Sequence, residues 1–455
     1  MSKLHEKCGV FGVYGTERQS ARLIMFGLTA LQHRGQESAG IAVCDTDGEK
    51  GNIFCHKGMG LVSEVFHAGI ADKLYGNIGV GHVRYSTTGA SSIENAQPVT
   101  FNYIKGTLAT VHNGNLTNTD ELREALLKEG LVFRSDTDTE VLASLIAKER
   151  ASCGSIEEAV KRASKRLKGS YAVIVMSPRK LVAVRDPYGL KPLCLGRVGD
   201  TYVIASESCA LSSVGAKLIR DIAPGEILTV SADGLSSEFN SVSQKHAHCV
   251  FEYIYFARLD SKIDGVDVYS ARFKSGEALA ESAPVKADIV TGVPDSGLTA
   301  AMGYSSRSGI PFALAFHKNS YLGRTFIKPT EKERSSAVKL KLNVIESVVK
   351  GKDIVLIDDS IVRGTTIANL IKDLKAAGAG RVHVRISSPP FLYPCFYGTD
   401  VPDNSALIAN ANNTEEIRKR IGADSLYYAR IEDLKRMTGD LPLCSACFDG
   451  KYPVD

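Results

Sequence analysis

One stretch limits the fold of this chain more than any other. Val355-Leu356-Ile357 is an apolar run that ends in two adjacent carboxylates, Asp358 and Asp359, then passes through Ser360-Ile361-Val362-Arg363 to Gly364-Thr365-Thr366. Beyond it, Ile367, Leu370, Ile371 and Leu374 recur at spacings of three, four and seven, one apolar face of a helix. Gly378 and Gly380 stop that helix, and residues 382–387 begin another β-like run. Strand, helix and strand in this order make a parallel βαβ unit. Open sheets of this kind bind ligands beyond the carboxyl ends of their strands, where the two acids stand. Neighbouring carboxylates repel unless hydroxyls or a cation relieve them. A ribose diol can donate to both, and Mg2+ takes one or two carboxylates together with phosphate oxygens. The N–H groups and hydroxyls of residues 364–366, at a helix start, suit a phosphate. The plainer reading is a solvated turn with a threonine N-cap.

The rest of the chain divides in two. At 455 residues, two domains are expected. Short β-like runs fill the first half, at 8–13, 41–44, 79–85, 108–112, 171–176 and 181–185. Helix-period segments interrupt them at 21–32, 119–128, 139–148 and 156–167, a pattern that predicts stacked sheet and helix layers. Residues 231–244 carry five serines and little apolar content, so the linker is placed there. From 285 the rhythm becomes strand–helix alternation, with β-runs at 287–293 and 353–357. The first run ends in Pro294-Asp295-Ser296-Gly297, which on its own is an ordinary β-turn. A net charge of +4 argues for neither nucleic acid nor membrane binding. With no spanning run and no signal-like N-terminus, a cytoplasmic location is expected. In that reducing compartment the ten cysteines are core, catalytic or metal-binding residues rather than disulfides.

Cys8 opens a β-run after only seven residues. A cysteine there is most often a buried hydrophobe. If the chain were trimmed so that Cys8 came first, its α-amine, with a pKa of about 7.7–8, could take the thiol proton. A lysine amine would stay protonated. Four further cysteines stand apart from the β-runs: Cys249, Cys395, Cys444 and Cys447, the last two as a C-x-x-C. From spacing alone, structural zinc is as open as iron–sulfur. Cys44, Cys55, Cys153, Cys194 and Cys209 read as packing residues.

Two resemblances add to this. The segment 355–366 resembles the signature of type I phosphoribosyltransferases, which implies that Asp358 and Asp359 hold ribose hydroxyls and Mg2+. It also implies that Ser360 and Arg363, Gly364, Thr365 and Thr366 hold the 5-phosphate of phosphoribosyl pyrophosphate (PRPP). Pro294, Asp295 and Ser296 then form its pyrophosphate loop, with Ser296 a metal ligand. Residues 318–341 hold seven Lys or Arg against two Glu, a pattern that usually marks a solvated face. Within them Tyr321, Arg324 and Thr325 resemble the family's flexible loop, which closes over the substrate. Cys8-Gly9-Val10-Phe11-Gly12, His33-Arg34-Gly35-Gln36-Glu37, Gly81-His82-Val83-Arg84, His112-Asn113-Gly114-Asn115 and Ser135-Asp136-Thr137-Asp138 occur in that order. Together they resemble the glutaminase domain of N-terminal-nucleophile (Ntn) amidotransferases. The likeness implies that Cys8 is the nucleophile, that Asn113 and Gly114 form an oxyanion hole, and that Arg84 and Asp138 bind glutamine. Bare, Asn113-Gly114 is also a hairpin turn and Thr137-x-x-Glu140 a capping box. His82 and His112 read as scaffold residues rather than bases.

Both halves together resemble the iron–sulfur branch of the glutamine phosphoribosylpyrophosphate amidotransferase family. The resemblance implies an αββα Ntn glutaminase domain (8–235) after a propeptide (1–7), then an α/β phosphoribosyltransferase domain (236–455) with a cluster-binding tail. Lys7 departs from the acidic residue the family would place before the nucleophile. The likeness further implies a 4Fe–4S cluster on Cys249, Cys395, Cys444 and Cys447, a homotetramer, feedback inhibition by purine nucleotides, and an internal path for ammonia. An amidotransferase making amino sugars or asparagine would need different phosphate loops. A nucleotide-sensing regulator would need neither a trimmed Cys8 nor Asn113-Gly114. A catalytically dead paralogue would carry the same motifs.

Overall fold

Strict alternation of side chains along the first-half strands produces two sheets with a core on each face. The computed structural model describes residues 8–48, 51–67, 69–85, 91–240, 245–319, 342–399 and 407–454. Strands Lys217–Asp221, Cys194–Val198, Thr201–Ala205, Gly9–Tyr14, Ile78–Arg84, Ser38–Cys44 and Phe54–Met59 form, in that spatial order, an antiparallel sheet. Gly234–Phe239, Glu226–Ser231, Leu181–Arg185, Gly169–Met176, Gly106–Leu116 and Val99–Tyr103 form a second. In Gly9–Tyr14, Phe11 and Val13 point to the helix Ser20–Ala30, while Val10 points to Val111 and Ile174 of the other sheet. The second sheet's outer face, with Val173 and Val175, packs on the helices Thr119–Lys128, Asp138–Ser152 and Ile156–Ser164. The result is four layers, helix–sheet–sheet–helix, as the alternating runs predict.

The later half holds a parallel sheet of four strands, Ile289–Gly292, Ile354–Asp358, Val382–Ile386 and Ser425–Tyr428, in that order. It is covered on both faces, as parallel sheets require. Ile354 and Leu356 meet Ile367, Leu370, Ile371 and Leu374 of the helix Thr365–Ala376. Val355 and Ile357 point the other way, to Ala300 and Tyr304 of the helix Ser296–Ser308. Leu356 is fully buried, so truncating it to alanine costs about 2–5 kcal/mol. The βαβ crossovers deliver Asp358 and the loop after it to the carboxyl edge of this sheet.

One expectation changes. Gly234–Phe239 is a paired strand rather than linker, so the break expected at 235/236 falls inside it. Its residues are mostly exposed because it is an edge strand, and that exposure made it read as a polar connection. The propeptide 1–7 and the loop residues Tyr321, Arg324 and Thr325 lie outside the described residues. Among the described residues, no helix is long and apolar enough to cross a membrane.

Candidate active sites

The first site forms at the ends of adjacent strands. Cys8 directly precedes the strand Gly9–Tyr14, whose Gly9 pairs with Val83, next to Arg84. Its Sγ lies 3.5 Å from the Tyr85 carbonyl. Burial pushes the thiol pKa up, and Asp138 adds to this, while the Tyr85 contact, Arg84 and Lys191 oppose it. Arg84 is buried and pairs with Glu37 at 2.5 Å. Asp138 begins the helix Asp138–Ser152 and accepts the Leu116 N–H at 3.1 Å, which ties it to the strand bearing Asn113 and Gly114. Burial alone would raise the Asp138 carboxyl, but His112, together with hydrogen bonds from Leu116 and Thr139, holds it below its ordinary value.

Asn113 and Gly114 lie inside the strand Gly106–Leu116, which removes the hairpin-turn reading. Asn113 is buried, and its Nδ2 makes no hydrogen bond among the described residues. Gly114 has φ +153°, and a Cβ there would collide with the Ser170 carbonyl, so no other residue fits. His82 Nε2 lies 3.0 Å from the His112 carbonyl, and burial pushes its pKa down to about 3. A ring that stays neutral and hydrogen-bonded is scaffold. Thr137 caps its helix by accepting the Glu140 N–H. The Glu140 carboxylate instead takes the N–H groups of Arg134 and Ser135, so the capping box is half formed.

The second site occupies the loop after Ile354–Asp358. Tyr255 and residues 358–367 line a cavity of about 470 Å3. Asp358 and Asp359 are both largely buried. Ser296 donates to Asp359 Oδ2 at 2.5 Å, and Ser360 donates to the other oxygen of the same carboxylate. Asp358 Oδ1 accepts the Asp359 N–H at 2.9 Å. Gly364, with φ +80°, is the N-cap of the following helix, which displaces the threonine-cap reading. Pro294-Asp295-Ser296-Gly297 is more than a β-turn, because Ser296 begins the helix Ser296–Ser308. Lys318 forms an ion pair with Asp295.

A third feature gathers residues from far apart in the chain. Cys249, Cys395, Cys444 and Cys447 line one cavity of about 420 Å3 with Lys191 and Tyr397. Cys249 pairs in parallel register with Cys444. Burial, then Cys395, Cys444 and Cys249, pushes the Cys447 thiol well above its ordinary value. Among the described residues, no group of three or more His, Cys, Asp or Glu is arranged so that it could hold a metal ion.

Sequence reasoning missed the charges beneath Cys8. Arg34 donates from Nε to the Cys8 carbonyl at 3.2 Å, from Nη2 to both Glu252 oxygens at 2.8 and 3.0 Å, and from Nη1 to Glu207. All three side chains are almost completely buried. Burial would raise the Glu207 carboxyl, but His33 and Arg34 hold it well below its ordinary range. Arg34 stood in a recognised motif, but nothing in the sequence marked its partners. Tyr255 was likewise unmarked; it follows Glu252 within one π-helical turn, Glu252–Phe256. Burial, then Asp359 and Asp358, pushes its phenol up.

Comparison with known proteins matches this fold. A family model described as a glutamine amidotransferase domain matches residues 82–213. The amidophosphoribosyltransferase of Bacillus subtilis is 46% identical over 459 residues, covering 99% of this chain and 95% of the relative. That of Methanothermobacter thermautotrophicus is 48% identical over 457 residues, covering 100% and 96%. The solved structure of the Bacillus subtilis glutamine PRPP amidotransferase complexed with ADP and GMP superposes with a TM-score of 0.91. It is 45% identical, with 98% of each chain covered. A structure described as the allosteric regulatory enzyme of purine biosynthesis superposes at 0.92, with 45% identity and 98% and 96% coverage.

Proposed function

The chain belongs to the amidophosphoribosyltransferase family, and from that premise we propose how its residues share the reaction. It is a glutamine amidotransferase and pentosyltransferase that aminates PRPP to 5-phosphoribosylamine, releasing glutamate and pyrophosphate, in the first committed step of purine (IMP) biosynthesis. Removal of residues 1–7 frees the Cys8 α-amine. That amine takes the thiol proton, directly or through water, and Sγ attacks the glutamine amide carbon. A thiol pushed up by burial does not ionise unaided near neutral pH, so it needs this base. Asn113 Nδ2 and the Gly114 N–H receive the oxyanion. Arg84 holds the substrate carboxylate and Asp138 its α-amino group. Ammonia leaves, water hydrolyses the thioester, and ammonia passes inside the protein to the second site unprotonated. The glutaminase domain runs from Cys8 to about Phe239, and the phosphoribosyltransferase domain follows.

At the second site Asp358 and Asp359 hold the ribose hydroxyls. Ser360, Arg363, Gly364, Thr365 and Thr366 hold the 5-phosphate, and Pro294, Asp295 and Ser296 hold the pyrophosphate. Ser296, Asp358 and Asp359 would also hold Mg2+. Their hard oxygen atoms, with Ser296 against Asp359, suit a cation that draws its remaining ligands from substrate phosphates. Bound there, the metal would neutralise the departing pyrophosphate. Cys249, Cys395, Cys444 and Cys447 would hold a structural 4Fe–4S cluster. What supports this reading is that all four cysteines, from distant parts of the chain, line one cavity. Tyr321, Arg324 and Thr325 close over PRPP. Purine nucleotides inhibit, a reading supported by the ADP and GMP in the Bacillus subtilis structure. The assembly is a homotetramer, and the location is cytoplasmic.

The observation that carries the glutaminase reading is the buried, unpartnered amide of Asn113. Such a donor costs about 1–3 kcal/mol unless a ligand accepts from it. The test joins intact-mass measurement to a coupled assay. Purified protein should begin at Cys8 and consume glutamine only when PRPP is present. Stoichiometric zinc in a colourless, active sample would overturn the cluster.

A further inference from the structure

The segment carrying Cys395 is fastened to the strand carrying Asn113 and Gly114. Ser170, fully buried, lies opposite Asn115 in the pairing of Gly106–Leu116 with Gly169–Met176. Its hydroxyl accepts the Asn115 N–H at 3.2 Å and donates to the Tyr397 carbonyl at 2.9 Å. Asn115 Nδ2 donates to the Phe396 carbonyl at 2.9 Å. The Tyr397 N–H in turn points at Cys395 Sγ, 3.4 Å away. A continuous chain of hydrogen bonds thus runs from the Cys395 sulfur to the backbone beside Gly114. Packing reinforces it. A Cβ added at Gly398, where φ is +86°, would meet the Gly114 carbonyl carbon and oxygen at 3.3 Å, tighter than ordinary van der Waals contact. At Gly114 itself, the Ser170 carbonyl occupies the place a Cβ would need. The glycine is thus close to two other backbone segments, one of them following Tyr397 of the four-cysteine cavity.

We propose that Ser170 and Asn115 are positioning residues, which align the oxyanion donors of the glutaminase site by clasping them to the Cys395–Gly398 backbone. The proposal rests on the roles of Asn113 and Gly114 given above. Donors of this kind act through preorganisation, so a small loosening of their strand lowers turnover more than substrate binding. The Phe396 and Tyr397 carbonyls are the contact points, so the order of the cysteine cavity reaches the chemistry at Cys8 through them.

The test uses full-length Asn115→Ala and Ser170→Ala proteins. Asn115 is partly exposed, so its variant stays informative if the buried Ser170 variant does not fold. Three quantities are measured: glutamine kinetics, ammonia-dependent synthesis with iron content, and the rates at which Cys8 reacts with two reagents. One reagent is a glutamine analogue bearing a diazoketone, whose carbonyl oxygen must sit in the oxyanion hole; the other is iodoacetamide, which needs only the thiol. In Asn115→Ala, kcat for glutamine is expected to fall about 10-fold with KM within about twofold. Diazoketone capture slows in parallel, while iodoacetamide labelling, ammonia-dependent synthesis and iron content hold. Unchanged kcat, or equal slowing of both reagents, overturns the proposal. Unaltered protein that consumes no glutamine overturns the underlying reading of Cys8, and the proposal with it, before any variant is made.

Discussion

The two proposed reaction centres are built in opposite ways. The acid loop at 358–366 is one contiguous piece of chain, set at a sheet edge by a single crossover and exposed to a cavity. The cysteine centre is assembled from strand ends and a helix start spread across the first sheet, the second sheet and the outer helices, above a buried charge network reaching Glu252 in the other half. A site built around one loop depends chiefly on that loop, with Ser296 and Tyr255 brought to it from elsewhere. A dispersed site depends on every layer that brings it together, so it can be damaged from far away.

The sharpest way to break this comparison is Cys8→Ala. Glutamine-dependent synthesis should fall by about 10^4-fold or more, while ammonia-dependent synthesis persists; loss of both would show that the centres are one unit. Next is Glu252→Ala, which leaves Arg34 buried with half its partners. Removing one member of a buried ion pair costs about 3–5 kcal/mol, so thermal or urea unfolding should show a loss of that size, and glutamine turnover should suffer before ammonia use does. Surface-like behaviour, below about 1 kcal/mol, would refute the network's role. Asn113→Ala should reduce kcat for glutamine by about 10^2–10^3-fold, with ammonia-dependent rates unchanged; a change confined to KM would count against an oxyanion donor.

The smallest expected effect is a pH slope. Buried His82 has its pKa pushed down to about 3 from an ordinary 6.5. Between those values the unfolded chain binds the proton and the folded chain does not. Stability from this residue is therefore complete above about pH 6.5 and declines as pH drops towards 3, by up to about 1.4 kcal/mol per unit. Urea titrations of His82→Asn and the unaltered protein at pH 7 and pH 5 measure it. Equal slopes would mean that the ring titrates normally.

The same contrast explains what could be read in advance. Residues 355–366 declare strand, acids, loop and helix within one window, and the structure reproduces each. The expected strand at 181–185 and helix at 119–128 return unchanged as Leu181–Arg185 and Thr119–Lys128, because their patterns are long or bounded by turns. Edge strand Gly234–Phe239 escaped, since no buried face marks its period. The cysteine centre was visible only through the order of short motifs. No periodicity says that Asp138 will meet the Leu116 N–H, or that Glu207 and Glu252 will close on Arg34, because those contacts exist only once the sheets stack.

Cys249 stands beside Cys444, and the backbone just before Cys395 is latched to Cys447 through the N–H groups of Leu392 and Tyr393 on its carbonyl. A ribosome makes these four positions one after another, and the last wall arrives only once Cys444 and Cys447 have been added. Until then Phe391 has its ring contact with Phe251 but lacks Phe448, which meets it at a tilt beside this latch. Maturation of this protein is consequently a late event, and a nascent chain halted before Cys444 should stay exposed to proteases however well its first four layers have already packed.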